Sequence, residues 1–302
     1  MDLKSKIFLI YGPTSSGKSN FAIKLAKKIN GEIINADSMQ VYKELKILSA
    51  RPLTKNYDKI KHHLYGFQSV KKDYSTGQWL ILAIKKISEI KKRNKTPIVV
   101  GGTGLYFKAL TEGIVKIPNI PSQLRSKVRF SNKSLGNKKF YKKLLKLDPK
   151  SKNRISATDT QRLIRAYEVK LFTKKSLYDW FDKTKSIFDK NDFYKICIDF
   201  PRDDLIKKIF DRTQNMIKNG AISEVKKLLK LKIPKKRTAN KAIGINEIKD
   251  FIDKKIQIEE LIDKISIKTR QYAKRQTTWS RGNMRDWNKI NSKRLNSFLK
   301  KI

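Results

Sequence analysis

Residues 6–11 (KIFLIY) carry five consecutive apolar or aromatic side chains and stop at Gly12. So short a run, ending at a glycine, predicts a buried strand. Between 20 and 29 the apolar positions Phe21, Ile23, Leu25, Ala26 and Ile29 take helical spacing. Residues 32–37 (EIINAD) read as a second strand. Residues 77–92 place Trp79, Leu80, Ala83, Ile84, Ile87 and Ile90 on one face, the pattern of an amphipathic helix. A third strand over 97–100 runs into Gly101-Gly102-Thr103-Gly104. Strands alternating with helices predict an α/β fold, a parallel sheet flanked by helices. Ligands of such sheets gather at the carboxyl ends of the strands.

The pattern changes after Gly113. Residues 117–121 (IPNIP) oppose regular structure and read as a linker. Helices are predicted over 122–130, 137–147 and 159–172. Residues 194–200 (YKICIDF) read as a strand that rejoins the sheet. Helices follow over 203–218, 221–231, 244–252 and 257–279. The expected organisation is a sheet core begun by 1–115, interrupted by a helical insertion over 116–193, and completed by 194–302. No internal repeat is visible.

Composition narrows the function classes. The 302 residues include 71 Lys and Arg against 27 Asp and Glu, a net charge of +44. That surplus favours polyanionic partners or anionic substrates. Lys outnumbers Arg by 56 to 15, a bias that drift toward lysine codons also produces. The charge is spread along the chain, so motifs must identify the partner. No apolar run approaches the roughly 20 residues of a bilayer span, and no membrane association is expected. The N-terminal stretch is too short for a secretory signal. The single cysteine, Cys197, excludes a disulfide framework and a cysteine-rich zinc site, and a cytoplasmic location is expected.

The sharpest motif is Gly12-Pro13-Thr14-Ser15-Ser16-Gly17-Lys18-Ser19, which fits G-x-x-x-x-G-K-[ST] between a predicted strand and a predicted helix. Glycines let successive amide N–H groups face one anion, and the helix N-terminus adds its dipole. Lys18 would reach the terminal phosphates. The Ser19 hydroxyl would ligate Mg²⁺. The motif indicates a P-loop NTPase-like core and a diphosphate or triphosphate ligand, without specifying phosphoryl transfer. Asp37, at the end of the second strand, lies on the same rim. It reads as a turn-capping residue, an outer Mg²⁺ ligand, or a general base.

With Asp37 the chain comes to resemble a known family. Asp37-Ser38-Met39-Gln40-Val41-Tyr42-Lys43 is similar to the D-S-x-Q-x-Y-[KR] element of tRNA dimethylallyltransferases. Further blocks follow in the family's order: Ser49-Ala50-Arg51-Pro52, His62-His63-Leu64, Tyr74-Ser75, Gly101-Gly102-Thr103-Gly104-Leu105-Tyr106, residues 159–168 (DTQRLIRAYE) and residues 273–279 (AKRQTTW). Together they span nearly the whole chain. The resemblance implies transfer of a dimethylallyl group from dimethylallyl diphosphate to N6 of the adenosine 3′ of the anticodon, in tRNAs that read codons beginning with U. The P-loop then holds a leaving group.

By the same resemblance Asp37 is the base, with Thr103 and Lys18 as further catalytic residues. Asp37, Ser38, Met39, Gln40 and Thr103 contact the target nucleotide. Arg125, Gln161, Arg162, Leu163, Ile164, Arg165, Lys274, Arg275 and Trp279 hold the tRNA anticodon stem-loop. From the residues alone, 161–165 also read as a solvated basic face and Trp279 as a core residue. Lys241 and Asn246 stand where many members carry other basic residues. One cysteine excludes the zinc finger of the eukaryotic branch, which favours a bacterial-type enzyme. A monomer is expected. A P-loop small-molecule kinase, an adenylate isopentenyltransferase and a non-catalytic RNA-binding protein stay open as alternatives.

Overall fold

The computed structural model describes residues 5–302 except 55, 56 and 58. Residues 1–4, part of the N-terminal stretch read above, lie outside the described residues. The chain divides into two compact units, one of residues 1–111 with 188–302 and one of residues 112–187.

In the first unit the elements begin with β1 (Ile7–Tyr11), α1 (Lys18–Lys28), β2 (Gly31–Asn35) and β3 (His62–His63). They continue with α2 (Thr76–Lys92), β4 (Thr96–Gly101) and α3 (Gly104–Glu112). The second unit carries α4 (Ser122–Leu147), α5 (Thr160–Thr173) and α6 (Leu177–Phe181). The chain then rejoins the first unit with β5 (Phe193–Asp199), α7 (Arg202–Lys218), α8 (Ala221–Lys230) and α9 (Ile245–Ile252). It ends with α10 (Ile258–Asn283), β6 (Asn288–Asn291) and α11 (Leu295–Lys301).

Among the described residues the strands form one sheet, ordered β3-β2-β4-β1-β5-β6, with all pairings parallel. β1 is buried on both faces, as parallel strands between helical layers are. Its odd and even positions part company accordingly. Phe8 and Ile10 pack with Phe21, Leu25 and Phe298. Ile7, Leu9 and Tyr11 pack with Trp79, Ile87, Phe107 and Trp287. A further apolar cluster lies among α7–α10 and the segment after β2, including Val41, Tyr42, Leu48, Met216, Ile248 and Ile265. It anchors that segment beside the carboxyl ends of the strands.

Several boundaries differ from those expected. β2 stops at Asn35 rather than 37, so Asp37 lies in the following loop. α10 runs to Asn283, four residues past the expected end. The short elements β3, α3, α6, β6 and α11 carry little periodic signal. In β6 only Ile290 is buried.

In the second unit, helical φ/ψ breaks inside α4 at Gly136, whose φ of 71° separates the two segments expected there. Val128, Phe140, Leu144, Leu163, Ala166 and Val169 form this unit's own core. Leu163 is fully buried in it, which corrects its assignment as a tRNA contact: a side chain that closes a core has no surface to offer RNA. Ile164 packs partly against the same cluster. Leu163→Ala should therefore cost about 2–5 kcal/mol of stability, whereas exposed Gln161→Ala should stay within about 0.5 kcal/mol. Urea unfolding of the two variants measures the contrast, and equal midpoints would contradict it.

Candidate functional site

Tyr11, the last residue of β1, is paired with Gly101 on one side and Cys197 on the other. The phosphate loop starts here, at the point where the strand order reverses around β1, and such points open a crevice for ligands. Ser15 (φ 63°) and Gly17 (φ 80°) both take left-handed backbone conformations. Alternating handedness turns successive N–H groups toward one centre and forms an anion nest. α1 then begins at Lys18 with no side-chain cap and no acidic residue in its first turn, so its terminal N–H groups and dipole favour an anion. Ser16 Oγ is buried and makes no hydrogen bond.

Lys18 Nζ donates to Pro13 O at 3.1 Å. Burial pushes the Lys18 ammonium down to about 8, opposed by the Asp37 carboxylate and reinforced by the Arg212 guanidinium. Arg212, on α7, donates to Thr14 Oγ1 at 2.7 Å and to Ser15 Oγ at 3.4 Å. The sequence reading missed this residue. Its signal was its place at i+3 from Ile209 on the stripe that buries Leu205, Ile209, Thr213 and Met216, an apolar face where a charge needs a reason.

The loop is fastened from behind by α10. Gln276, almost fully buried, accepts from Thr14 N at 2.9 Å and donates to Gly102 O at 2.8 Å. Its own backbone carbonyl accepts from Tyr11 Oη at 2.8 Å. A Cβ on Gly102 would lie 2.2 Å from the Gln276 amide nitrogen, so any larger residue there would displace the Gln276 side chain. Gln276 was also missed as a functional position, because its partners are far away in sequence.

Asp37 is half-buried, and its Oδ1 accepts from Met39 N at 2.9 Å and Gln40 N at 3.4 Å. The turn-capping role read from sequence is thus present. Thr103 ties the next loop to this one: its hydroxyl accepts from Ser38 N at 2.9 Å and donates to Ser38 Oγ at 3.3 Å, and its N–H donates to Ala36 O at 3.1 Å. Gln40 spends its side-chain amide on Ser49 O and Ala50 O, at 3.0 and 3.3 Å.

Two cavities share the walls Thr14, Asp37, Ser49 and Arg212. One, about 400 Å³, is lined by Ser15, Gly17, Lys18, Ser19 and Asp211 and suits an anion. The other, about 290 Å³, is lined largely by Leu48, Ile209, Met216, Ala242, Ile243 and Ile265, with Ser38, Met39 and Arg275 also at its walls. An anionic head with a small apolar tail would fill both, with Asp37 at the junction.

The expected RNA contacts fall in two places. Lys274 and Arg275 are exposed on α10, and the Arg275 guanidinium lies 5.8 Å from the Tyr272 ring centroid. Trp279 has a packing role: it is half-buried, 6.0 Å from the Tyr11 ring, and a Cβ on Gly104 would meet its indole at 2.3 Å. In the second unit Gln161 and Arg162 are exposed, and Arg162 pairs with the N-capping Asp159 at 2.9 Å. Arg125 and Arg165 approach the buried Glu168 at 3.8 Å each, joined by Arg129 at 3.9 Å. Burial pushes the Glu168 carboxyl up, and the three arginines pull it back.

The chain is similar to known proteins along nearly its whole length. The family model described as IPP transferase matches residues 40–283. A tRNA dimethylallyltransferase of Pelagibacter ubique is 59% identical, covering 100% of this chain and 96% of its own. One from Rickettsia massiliae is 43% identical, covering 94% of this chain and 78% of its own. A crystal structure of a tRNA isopentenylpyrophosphate transferase from Bacillus halodurans superposes with a TM-score of 0.70 at 31% identity, covering 98% of this chain and 95% of its own. A eukaryotic dimethylallyltransferase solved acting on tRNA gives a TM-score of 0.83 at 27% identity, covering 95% of this chain and 74% of its own.

The lowered Lys18 pKa predicts pH-dependent anion binding at the loop. A neutral amine cannot pair with an anion, so affinity for inorganic pyrophosphate should fall about fivefold between about pH 8 and 9. Calorimetric titration measures this, and Lys18→Arg, charged throughout, should flatten the slope. A slope unchanged in that variant would contradict the assignment. With its P-loop NTPase-like sheet, its anion nest and these relatives, the chain belongs to the IPP transferase family.

Proposed function

We propose that the chain transfers a dimethylallyl group from dimethylallyl diphosphate to N6 of the adenosine adjoining the anticodon on its 3′ side, in tRNAs that read codons beginning with U. The products are N6-dimethylallyladenosine and pyrophosphate. The observation that carries this reading is the junction of the anion cavity and the apolar cavity at Asp37 and Arg212. The diphosphate lies on the loop amides of residues 12–19 with Lys18 and Arg212, and the five-carbon tail lies among Leu48, Met216 and Ile265. The allylic carbon then sits near Asp37.

The target adenine reaches that point once it leaves the base stack of its loop. N6 attacks the allylic carbon, the C–N bond forms, and the C–O bond to the diphosphate breaks. An exocyclic adenine amine is a weak nucleophile, so orientation and proton removal both matter. Asp37 accepts the N6 proton. Lys18, Arg212 and the loop amides take up the charge that develops on departing pyrophosphate. Thr103 holds Ser38, and with it the turn that carries Asp37.

The donors here suit Mg²⁺, which takes few protein ligands and keeps waters beside phosphate oxygens. The Ser19 hydroxyl and the carboxylates of Asp37 and Asp211 line one cavity with the loop. When bound, the ion would supply further charge neutralisation on the leaving diphosphate. Arg125, Gln161, Arg162 and Arg165 in the second unit, with Lys274 and Arg275 on α10, are the proposed contacts to the anticodon stem-loop. Phosphate contacts of this kind weaken with salt.

The test incubates the protein with Mg²⁺, dimethylallyl diphosphate labelled in its prenyl group, and either unmodified tRNA or AMP. Label should enter tRNA alone. Label in AMP would reassign the chain to free nucleotides, and no transfer to either would overturn the proposed reaction.

A further inference from the structure

Asn35 ends β2 with no exposed surface. Its side-chain amide bonds to backbone on both sides of the following residue but one. Oδ1 accepts from Asp37 N at 2.9 Å, while Nδ2 donates to Asp37 O at 3.1 Å and to Leu64 O at 3.0 Å. We propose that Asn35 is a positioning residue for the Asp37 carboxylate, fixing the direction of its Cα–Cβ bond by gripping both peptide groups of Asp37. The proposal rests on the reading of Asp37 as the base.

The chemistry of the clamp is specific. One acceptor and two donors are needed in one small planar group, and a primary amide supplies that set. The partners also fix the amide's orientation: an N–H must face the oxygen, and two carbonyls must face the nitrogen. A fully buried amide is costly unless its groups are bonded, so the arrangement holds one geometry. Strand-end packing does not depend on this side chain. The Asn35 carbonyl is separately held by Trp79 Nε1 at 2.8 Å, and Ala36 N continues the sheet ladder to Val100 O at 2.8 Å.

From Asp37 the restraint continues outward. The carboxylate's own Oδ1 caps the turn at Met39, and Thr103 receives Ser38 N. The turn is thereby fixed at its base by Asn35 and at its tip by Thr103. The third bond, to Leu64 O, brings in the residue after β3. Leu64 takes φ 62°, and its carbonyl thereby links the His62-His63-Leu64 segment to the Asp37 turn. This gives that segment a part in the site that its distance in sequence conceals.

A double-mutant cycle on the full chain tests the proposal. Single-turnover transfer, at saturating dimethylallyl diphosphate and tRNA, is compared for wild type, Asn35→Ala, Asp37→Ala and the double variant, with tRNA affinity measured for each. Asn35→Ala should slow transfer by about 10–100-fold, as a displacement near 1 Å does, with tRNA affinity within about twofold of wild type. Added to Asp37→Ala, it should change the residual rate by less than about twofold. Independent losses that multiply in the double variant would overturn the proposal and leave Asp37 as the base. An Asp37→Ala variant near wild-type rate would overturn the reading of the base itself. Asn35→Ser, whose shorter hydroxyl can accept from Asp37 N–H but offers one donor where the amide offers two, carries the same cycle should the alanine variant misfold. Its rate should lie between wild type and the alanine effect, and a wild-type rate would overturn the clamp.

Discussion

The site depends on how closely the ends of β2 and β4 approach. A Cβ on Gly101 would lie 2.1 Å from the carbonyl oxygen of Ala36, so only a bare Cα permits the contact. That approach brings Thr103 within hydrogen-bonding reach of Ser38 and of the Ala36 carbonyl. On the other side of Gly101, Gly12 N continues the ladder to Gly101 O at 3.4 Å. Three chain segments that diverge after their strands are thus held within one hydrogen-bonded group. Gln276 closes it from α10, joining Thr14 to Gly102.

This frame explains how a cationic loop can sit beside a carboxylate. Lys18 and Arg212 are both disfavoured as cations by burial, and Asp37 acts on both in the opposite direction. The carboxylate therefore offsets part of the cost of burying the two cations, and on the proposed reading a diphosphate would do the same. The apolar cavity beyond Asp37 lowers the local dielectric and strengthens each of these interactions. The second unit has a separate electrostatic logic. Glu168 is buried below three arginines that stay 43–55% exposed, so their guanidinium groups are gathered on one surface while remaining accessible to phosphate.

Much of this was legible where the signal was local. The phosphate loop is eight consecutive residues, β1 and β4 are short apolar runs, and Asp37 follows a strand by two positions. Arg212 and Gln276 were not legible in that way. Each is ordinary within its own helix and acquires its role from partners 174 to 262 residues away. Leu163 shows the opposite failure. Its spacing with Ala166 and Tyr167 marks a helix face that turns inward, yet its place inside a family motif made it look like a contact. The strand end at Asn35 was misplaced by two residues because Ala36 and Asp37 extend the chain without extending the ladder to the same degree.

The charge of +44 takes a more limited meaning against this background. On the proposed reading a few cations would bind the diphosphate and a modest set the RNA, and neither ligand needs a surplus of this size. The central claim is that the loop holds a leaving group and not an energy source. Its most direct test measures pyrophosphate released against prenyl groups gained by tRNA, with and without ATP. The account predicts one pyrophosphate per modified adenosine, no ATP requirement and no ATP consumed. A requirement for ATP, or its hydrolysis in step with transfer, would contradict it.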